Sequence, residues 1–130
     1  MPSPSPVKVM IASGSRPLRE LLRWSLNHDD RFDVVGEASD GDAVVAGQDA
    51  YELALVDLTI PGLGVLGVLG KLRQHRPARY VVVMAHTDAI YLRNAVAVEG
   101  GADFLVMPDD LEELPERLFK AIRPGLPVAS

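Results

Sequence analysis

The sequence predicts an α/β domain: a doubly wound, five-stranded parallel sheet with helices on both faces. Three observations carry that expectation. Five short runs are mainly apolar and close to continuous instead of alternating, as strands buried on both faces are. Segments of helical spacing or turn chemistry separate them, so strands and helices alternate along the chain. The length, 130 residues, suits one domain, and 48% hydrophobic residues suffice for a core.

Each element follows from local signals. A Pro/Ser tail over 1–6 reads as disordered. Val7–Ala12 is the first strand. Ser13–Pro17 carries a helix-start signal, a serine followed by an early proline. Leu18, Leu21, Leu22 and Leu26 then recur at helical spacing, with Arg19, Glu20 and Arg23 on the other face. Asp29 and Asp30 mark a turn, Phe32–Val35 the second strand, and Ser39–Gly41 another turn. A short helix covers Ala43–Gln48. Leu53–Val56 is the third strand, ended by Asp57, and Thr59–Gly62 is a loop. The next helix runs through Val65, Leu66, Leu69 and Leu72; Gly67 and Gly70 soften it at about 1 kcal/mol each relative to alanine. Tyr80–Met84 is the fourth strand, Asp88–Glu99 a helix stopped by Gly100 and Gly101, and Phe104–Met107 the fifth strand. Pro108, Asp109 and Asp110 open the last helix, which carries Leu111, Leu114, Leu118 and Ile122. Pro124–Pro127 ends it. The domain is therefore expected over 7–123, with 124–130 as a linker stub or C-terminal tail.

Five such units imply the flavodoxin-like strand order, in which ligands lie beyond the carboxyl ends of the strands. Ser13, Asp57, Met84 and Met107 stand at four of those ends and are expected around one crevice.

Composition narrows the function. There are no cysteines, so disulfides and thiolate metal sites are excluded. No apolar run approaches the roughly 18–20 residues that cross a bilayer, and the start has no signal-peptide pattern. A cytoplasmic location is expected. The net charge of −5 makes direct nucleic-acid binding by this domain a poor expectation. His28, His75 and His86 are scattered without metal-ligand spacing.

Three stretches resemble response-regulator receiver domains of two-component signalling: Val34–Gly41 (VVGEASDG), Leu55–Gly62 (LVDLTIPG) and Gly100–Pro108 (GGADFLVMP). Arg19–Leu22 fits as well, and the likeness spans about 7–123. The resemblance implies a (βα)5 receiver fold and a phosphoacceptor aspartate, which Asp57 matches. It also implies a magnesium-binding acidic pair after the first strand, a hydroxyl ending the fourth and a lysine ending the fifth. Here those positions hold Ser13 and Gly14, Met84 or Ala85, and Met107. The family's fifth-strand aromatic survives as Phe104, which with Tyr91 is a candidate switch pair.

Each departure has a physical meaning. Ser13 and Gly14 remove two carboxylates from the metal site, so magnesium binding is expected to be weak or absent and no cofactor is expected. Met107 removes a fixed cation, and Met84 or Ala85 donates no hydrogen bond. Together they argue against ordinary phosphorylation. Asp57 then reads as a polar residue capping its loop, its carboxylate on donors from the Thr59 loop or solvent. The degenerate pocket comprises Ser13, Gly14, Thr59, Met84, Ala85 and Met107. A second candidate is an anion site at Ser13, Gly14, Ser15 and Arg16, where a strand meets a helix N-terminus; the plainer account is a helix cap. Ile90, Leu92, Val96 and Val98 give the fourth helix an apolar surround, which either enters the core or meets a partner.

The expected function is that of an atypical receiver: not an enzyme, but a phosphorylation-independent interaction module in signalling or transcriptional control. It is expected to contact a protein partner or a second copy through the fourth helix, fifth strand and fifth helix. The VGEAxDG pattern resembles receivers that precede DNA-binding domains. The alternatives are a small-molecule sensor using the Ser13–Arg16 crevice and a phosphoaccepting receiver using Asp57.

Overall fold

The computed structural model describes residues 5–47, 50–74, 80–86, 93–96 and 103–122. Five strands, β1 (Val7–Ala12), β2 (Phe32–Ala38), β3 (Leu53–Asp57), β4 (Tyr80–Ala85) and β5 (Asp103–Val106), form one sheet in the order β2-β1-β3-β4-β5. All four pairings are parallel. The chain steps from β1 to one edge and then returns past β1 to build the other side. This is the flavodoxin-like doubly wound order, and it brings the carboxyl ends of β1 and β3 side by side.

Helices α1 (Arg16–Asn27), α2 (Gly41–Ala46) and α3 (Gly64–Gln74), the helical residues 93–96 (α4) and α5 (Leu114–Ile122) flank the sheet. Because strand side chains alternate, the sheet divides the core. Val9, Ile11, Leu53, Leu55, Val82 and Met84 pack with Leu22 and Leu26 of α1 and Leu114, Leu118 and Ile122 of α5. Ala12, Ala54 and Val56 face Val44 of α2 and Val68 and Leu72 of α3. Val83 meets Leu69 and Val96 in a third cluster.

Several boundaries differ from the sequence expectation. β2 runs three residues past Val35, since Gly36, Glu37 and Ala38 pair with Met10, Ile11 and Ala12 beyond an irregularity in register. Exposed Asp33, Val35 and Glu37 on this edge strand break the apolar run that marks central strands. α2 starts at Gly41 because the Asp40 carboxylate accepts from the Ala43 N–H at 2.9 Å and caps it. Gly41 is required there: a Cβ would lie 2.7 Å from Val68 Cγ2 of α3. β4 extends to Ala85, and β5 begins at Asp103 and ends at Val106. Asp110 caps a 3-10 turn, Leu111–Glu113, and α5 begins only at Leu114. Leu21, expected on the buried stripe of α1, is 49% exposed. Leu18, Leu22 and Leu26, at four-residue spacing, take the sheet-facing line and leave Leu21 to one side.

The expected 88–99 helix falls mostly outside the described residues, as do Gly100 and Gly101, His75 and 124–130; residues 93–96 are helical. No helix of the described residues is long and apolar enough to cross a membrane.

Candidate functional site

Asp57 is the last residue of β3, and Ser13 follows the last residue of β1. The strands are hydrogen-bonded neighbours, so the two side chains meet at the sheet's carboxyl end. Both are buried, Asp57 at 6% exposure and Ser13 at 0%. The Ser13 hydroxyl donates to Asp57 Oδ2 at 2.9 Å and accepts from the Ser15 N–H at 3.0 Å. On the other side, Oδ1 accepts from the Thr59 N–H at 3.1 Å and the Thr59 hydroxyl at 3.2 Å. The carboxylate thus takes three donors from the chain itself. The Asp57 carbonyl accepts from the Ile60 N–H at 3.0 Å, which tightens the same loop.

The loop carrying Ser13 is held from three directions. Its N–H donates to the Ala38 carbonyl at 3.0 Å, and its own carbonyl accepts from Arg19 Nη1 at 2.7 Å. Arg19 also pairs with Glu37 at 3.1 Å and so ties α1 to β2. Gly14 lies beneath the Pro61 ring, where a Cβ would meet Pro61 Cδ at 3.0 Å and Cγ at 3.1 Å. The β1–α1 and β3–α3 loops therefore approach each other closely at Gly14 and Pro61. Gly62 and Gly64, at φ +80° and +73°, supply the left-handed turns that lead from this loop into α3.

The remaining positions of the pocket are apolar. β4 ends at Ala85, so the strand-end position is Ala85, which is buried, and its carbonyl accepts from the Met107 N–H at 2.8 Å. Met84, opposite Asp57 in register, is buried in the cluster shared with α1 and α5. Met107 packs against the same cluster. Magnesium wants an octahedron of hard oxygen ligands. The donors present do not fit it: one carboxylate, already hydrogen-bonded, stands at this strand end. Among the described residues, no group of three or more His, Asp or Glu is placed to hold a metal ion.

The Ser13–Arg16 segment is engaged internally. Ser15 caps α1, its hydroxyl accepting from the Leu18 N–H at 3.3 Å. Arg16 projects outward, 81% exposed, and pairs with Glu20 at 3.1 Å. Phe104 is half-buried with the Arg93 guanidinium 4.9 Å from its ring centre. Val96, grouped in the sequence with a partner-facing set, is 1% exposed and belongs to the core because it fills the space between Val83 and Leu69. Ile90, Tyr91, Leu92 and Val98 lie outside the described residues. Sequence reasoning missed the Arg19 clamp on Ser13 and the Pro61 cover on Gly14. Arg19 reads as solvent-facing in a helical pattern, and nothing in the sequence sets Pro61 against Gly14.

The chain matches the family model of the response regulator receiver domain over residues 9–119, and it belongs to that family. It is similar to the nitrate/nitrite response regulator NarP of Escherichia coli, 31% identical over 127 residues, 96% of this chain and 57% of NarP. It is also similar to the response regulator ArlR of Staphylococcus aureus, 27% identical over 118 residues, 89% of this chain and 52% of ArlR. The chain spans about half the length of the curated relatives it matches. Among solved structures, the signal receiver domain of NarL from Mycobacterium tuberculosis superposes with a TM-score of 0.83 at 24% identity, covering 92% of this chain and 98% of that one. The chain is thus a receiver domain of the response-regulator type.

Proposed function

We propose that this receiver domain works by protein–protein contact without phosphoryl transfer, as a module of cytoplasmic signalling or transcriptional control, and that it has no catalytic activity of its own. The observation that carries this reading is the Asp57 carboxylate, closed in by Ser13 and Thr59. Phosphoryl transfer is catalysed mainly by positioning and charge neutralisation. Ser13, Gly14, Ala85 and Met107 supply neither a metal ligand of negative charge nor a fixed cation. Magnesium binding is accordingly weak or absent. The partner, another protein or a second copy, engages the face of α4, β5 and α5. A relative named as a transcriptional regulatory protein, TcrX of Mycobacterium tuberculosis, supports a role in gene control.

A second reading is a phosphoaccepting receiver. Asp57 at the carboxyl end of β3, inside the family match over residues 9–119, favours it. A small-molecule sensor at Ser13–Arg16 has less support, since Ser13, Ser15 and Arg16 already have partners within the chain. Incubation with acetyl phosphate and magnesium, followed by intact-mass measurement, separates the first two readings. No phosphoryl adduct is expected, and Asp57→Asn is expected to leave partner affinity within about tenfold, or 1.4 kcal/mol. An adduct that disappears in Asp57→Asn overturns the proposal.

A further inference from the structure

Trp24 is the chain's single tryptophan, and it is 50% exposed on α1. Leu21, Trp24 and His28 stand three and four residues apart, so they form one outward stripe. Leu21 at the start of the stripe is also exposed. The rings of Trp24 and His28 lie 4.8 Å apart at 55°, and His28 Nδ1 is 2.6 Å from the Trp24 carbonyl oxygen, which holds the imidazole beside the indole. This aromatic pair forms one wall of a cleft of about 300 Å³ between the end of α1 and the start of α5. The opposite wall carries Glu112 and Glu116.

The charges on this cleft are unequal. Asp29 and Glu116 share one cation, Arg31, at 2.7 and 2.9 Å. Arg31 is further held over the Phe119 ring at 4.4 Å. Glu112 has no ion-pair partner among the described residues. Three carboxylates thus face one guanidinium, around an exposed indole.

We propose that this cleft is a docking site for a protein segment bearing an arginine or lysine beside an apolar residue. A cation over the face of tryptophan is attracted by the ring's negative face, and adjacent carboxylates add to that attraction. The apolar neighbour covers Leu21 and the rest of the stripe. Charge complementarity selects this occupant over a second copy of the chain, because self-pairing of the cleft would bring two acidic rims together. The site is separate from the Asp57 pocket and does not depend on its chemistry.

The lone tryptophan makes the test direct. A peptide of alternating leucine and arginine is titrated into the protein while Trp24 fluorescence is followed, with the glutamate-for-arginine peptide as control. A saturable change is expected with the basic peptide alone, weakened by added salt. Glu112→Lys is expected to raise the dissociation constant by about tenfold. Light scattering and circular dichroism on the same samples establish that the variant is folded and monomeric. Equal response to both peptides, no saturable response, or an unchanged constant in folded Glu112→Lys overturns the proposal. Self-association that is lost in Trp24→Ala, without peptide binding, overturns it in favour of a homodimer.

Discussion

Ser13 is the residue through which the pocket holds itself together. Its hydroxyl bridges the Ser15 N–H and the Asp57 carboxylate, both contacts made without solvent access to the serine. A hydrogen bond to a charged group contributes about 1.5–3 kcal/mol, and a buried acceptor that loses a donor bears the desolvation cost. Ser13→Ala is therefore expected to destabilise the domain by about 1.5–3 kcal/mol, read as a lower urea midpoint at unchanged slope. A loss under about 0.5 kcal/mol would mean that water replaces the hydroxyl without cost. Gly14 is constrained by space, since its φ is not in the left-handed region. Gly14→Ala sets a methyl 3.0 Å from Pro61 Cδ, and the proline ring has little freedom to move away. Overpacking of this kind costs about 1–3 kcal/mol. Gly14→Ala with Pro61→Ala is expected to recover part of that loss, which a double-mutant cycle measures.

At the scale of elements, two clamps fix helices and turns to the sheet, and both titrate. The Tyr51 hydroxyl donates to the Val44 carbonyl at 2.9 Å and ties α2 to the residues entering β3. Burial pushes its pKa up from 10.0 to about 12. A raised phenol pKa means that the stabilisation is complete below pH 10 and lost as the pH rises through about 12. Absorbance titration is expected to show a tyrosine ionising late, a step removed in Tyr51→Phe. The second clamp is Asp29–Arg31–Glu116, which joins the α1–β2 turn to α5. The Arg31 hydrogen bond holds the Asp29 carboxyl below its ordinary 3.8. A lowered carboxyl pKa gives stability that is present above the ordinary value and lost as the pH falls through the lowered one. Arg31→Gln is expected to flatten the acid limb of the stability profile below pH 3.8; an unchanged limb would show that the pair is screened by solvent. Element identity was largely readable in the sequence, because the central strands are apolar on both faces and Ser15 with Pro17 marks a helix start. The end of β2 and the late start of α5 were not, because one depends on edge pairing and the other on how Asp110 closes a 3-10 turn. For the site, the identities of Ser13, Gly14, Asp57 and Met107 were legible. Their partners were not, since a hydrogen bond across 44 residues exists only once β1 and β3 are neighbours.

At the scale of the molecule, the sheet order sets the carboxyl ends of β1 and β3 side by side, and apolar residues of β4 and the end of β5 stand next to them. Met84 lies in the cluster that α1 and α5 cover, and Met107 packs against it, so this end of the sheet adjoins the hydrophobic interior. Ligands that bind only the folded state raise its stability by mass action, by about 2.7 kcal/mol at a hundred times the dissociation constant. A receiver that gathers magnesium and beryllofluoride around its aspartate must therefore melt higher in their presence. This chain is expected to show no change in melting temperature with magnesium, alone or with beryllofluoride, because the anion would have to displace the Ser13 hydroxyl and enter beside an unneutralised carboxylate. Restoring the acids alone, as Ser13→Asp with Gly14→Asp, is expected to lower the melting temperature without conferring a response, since Ala85 and Met107 remain and Pro61 crowds position 14. The decisive comparison is wild type with and without both ions in a single thermal scan series. A rise that saturates with beryllofluoride and requires magnesium would mean that the pocket opens readily, and the closed carboxylate would then be the resting state of a working switch.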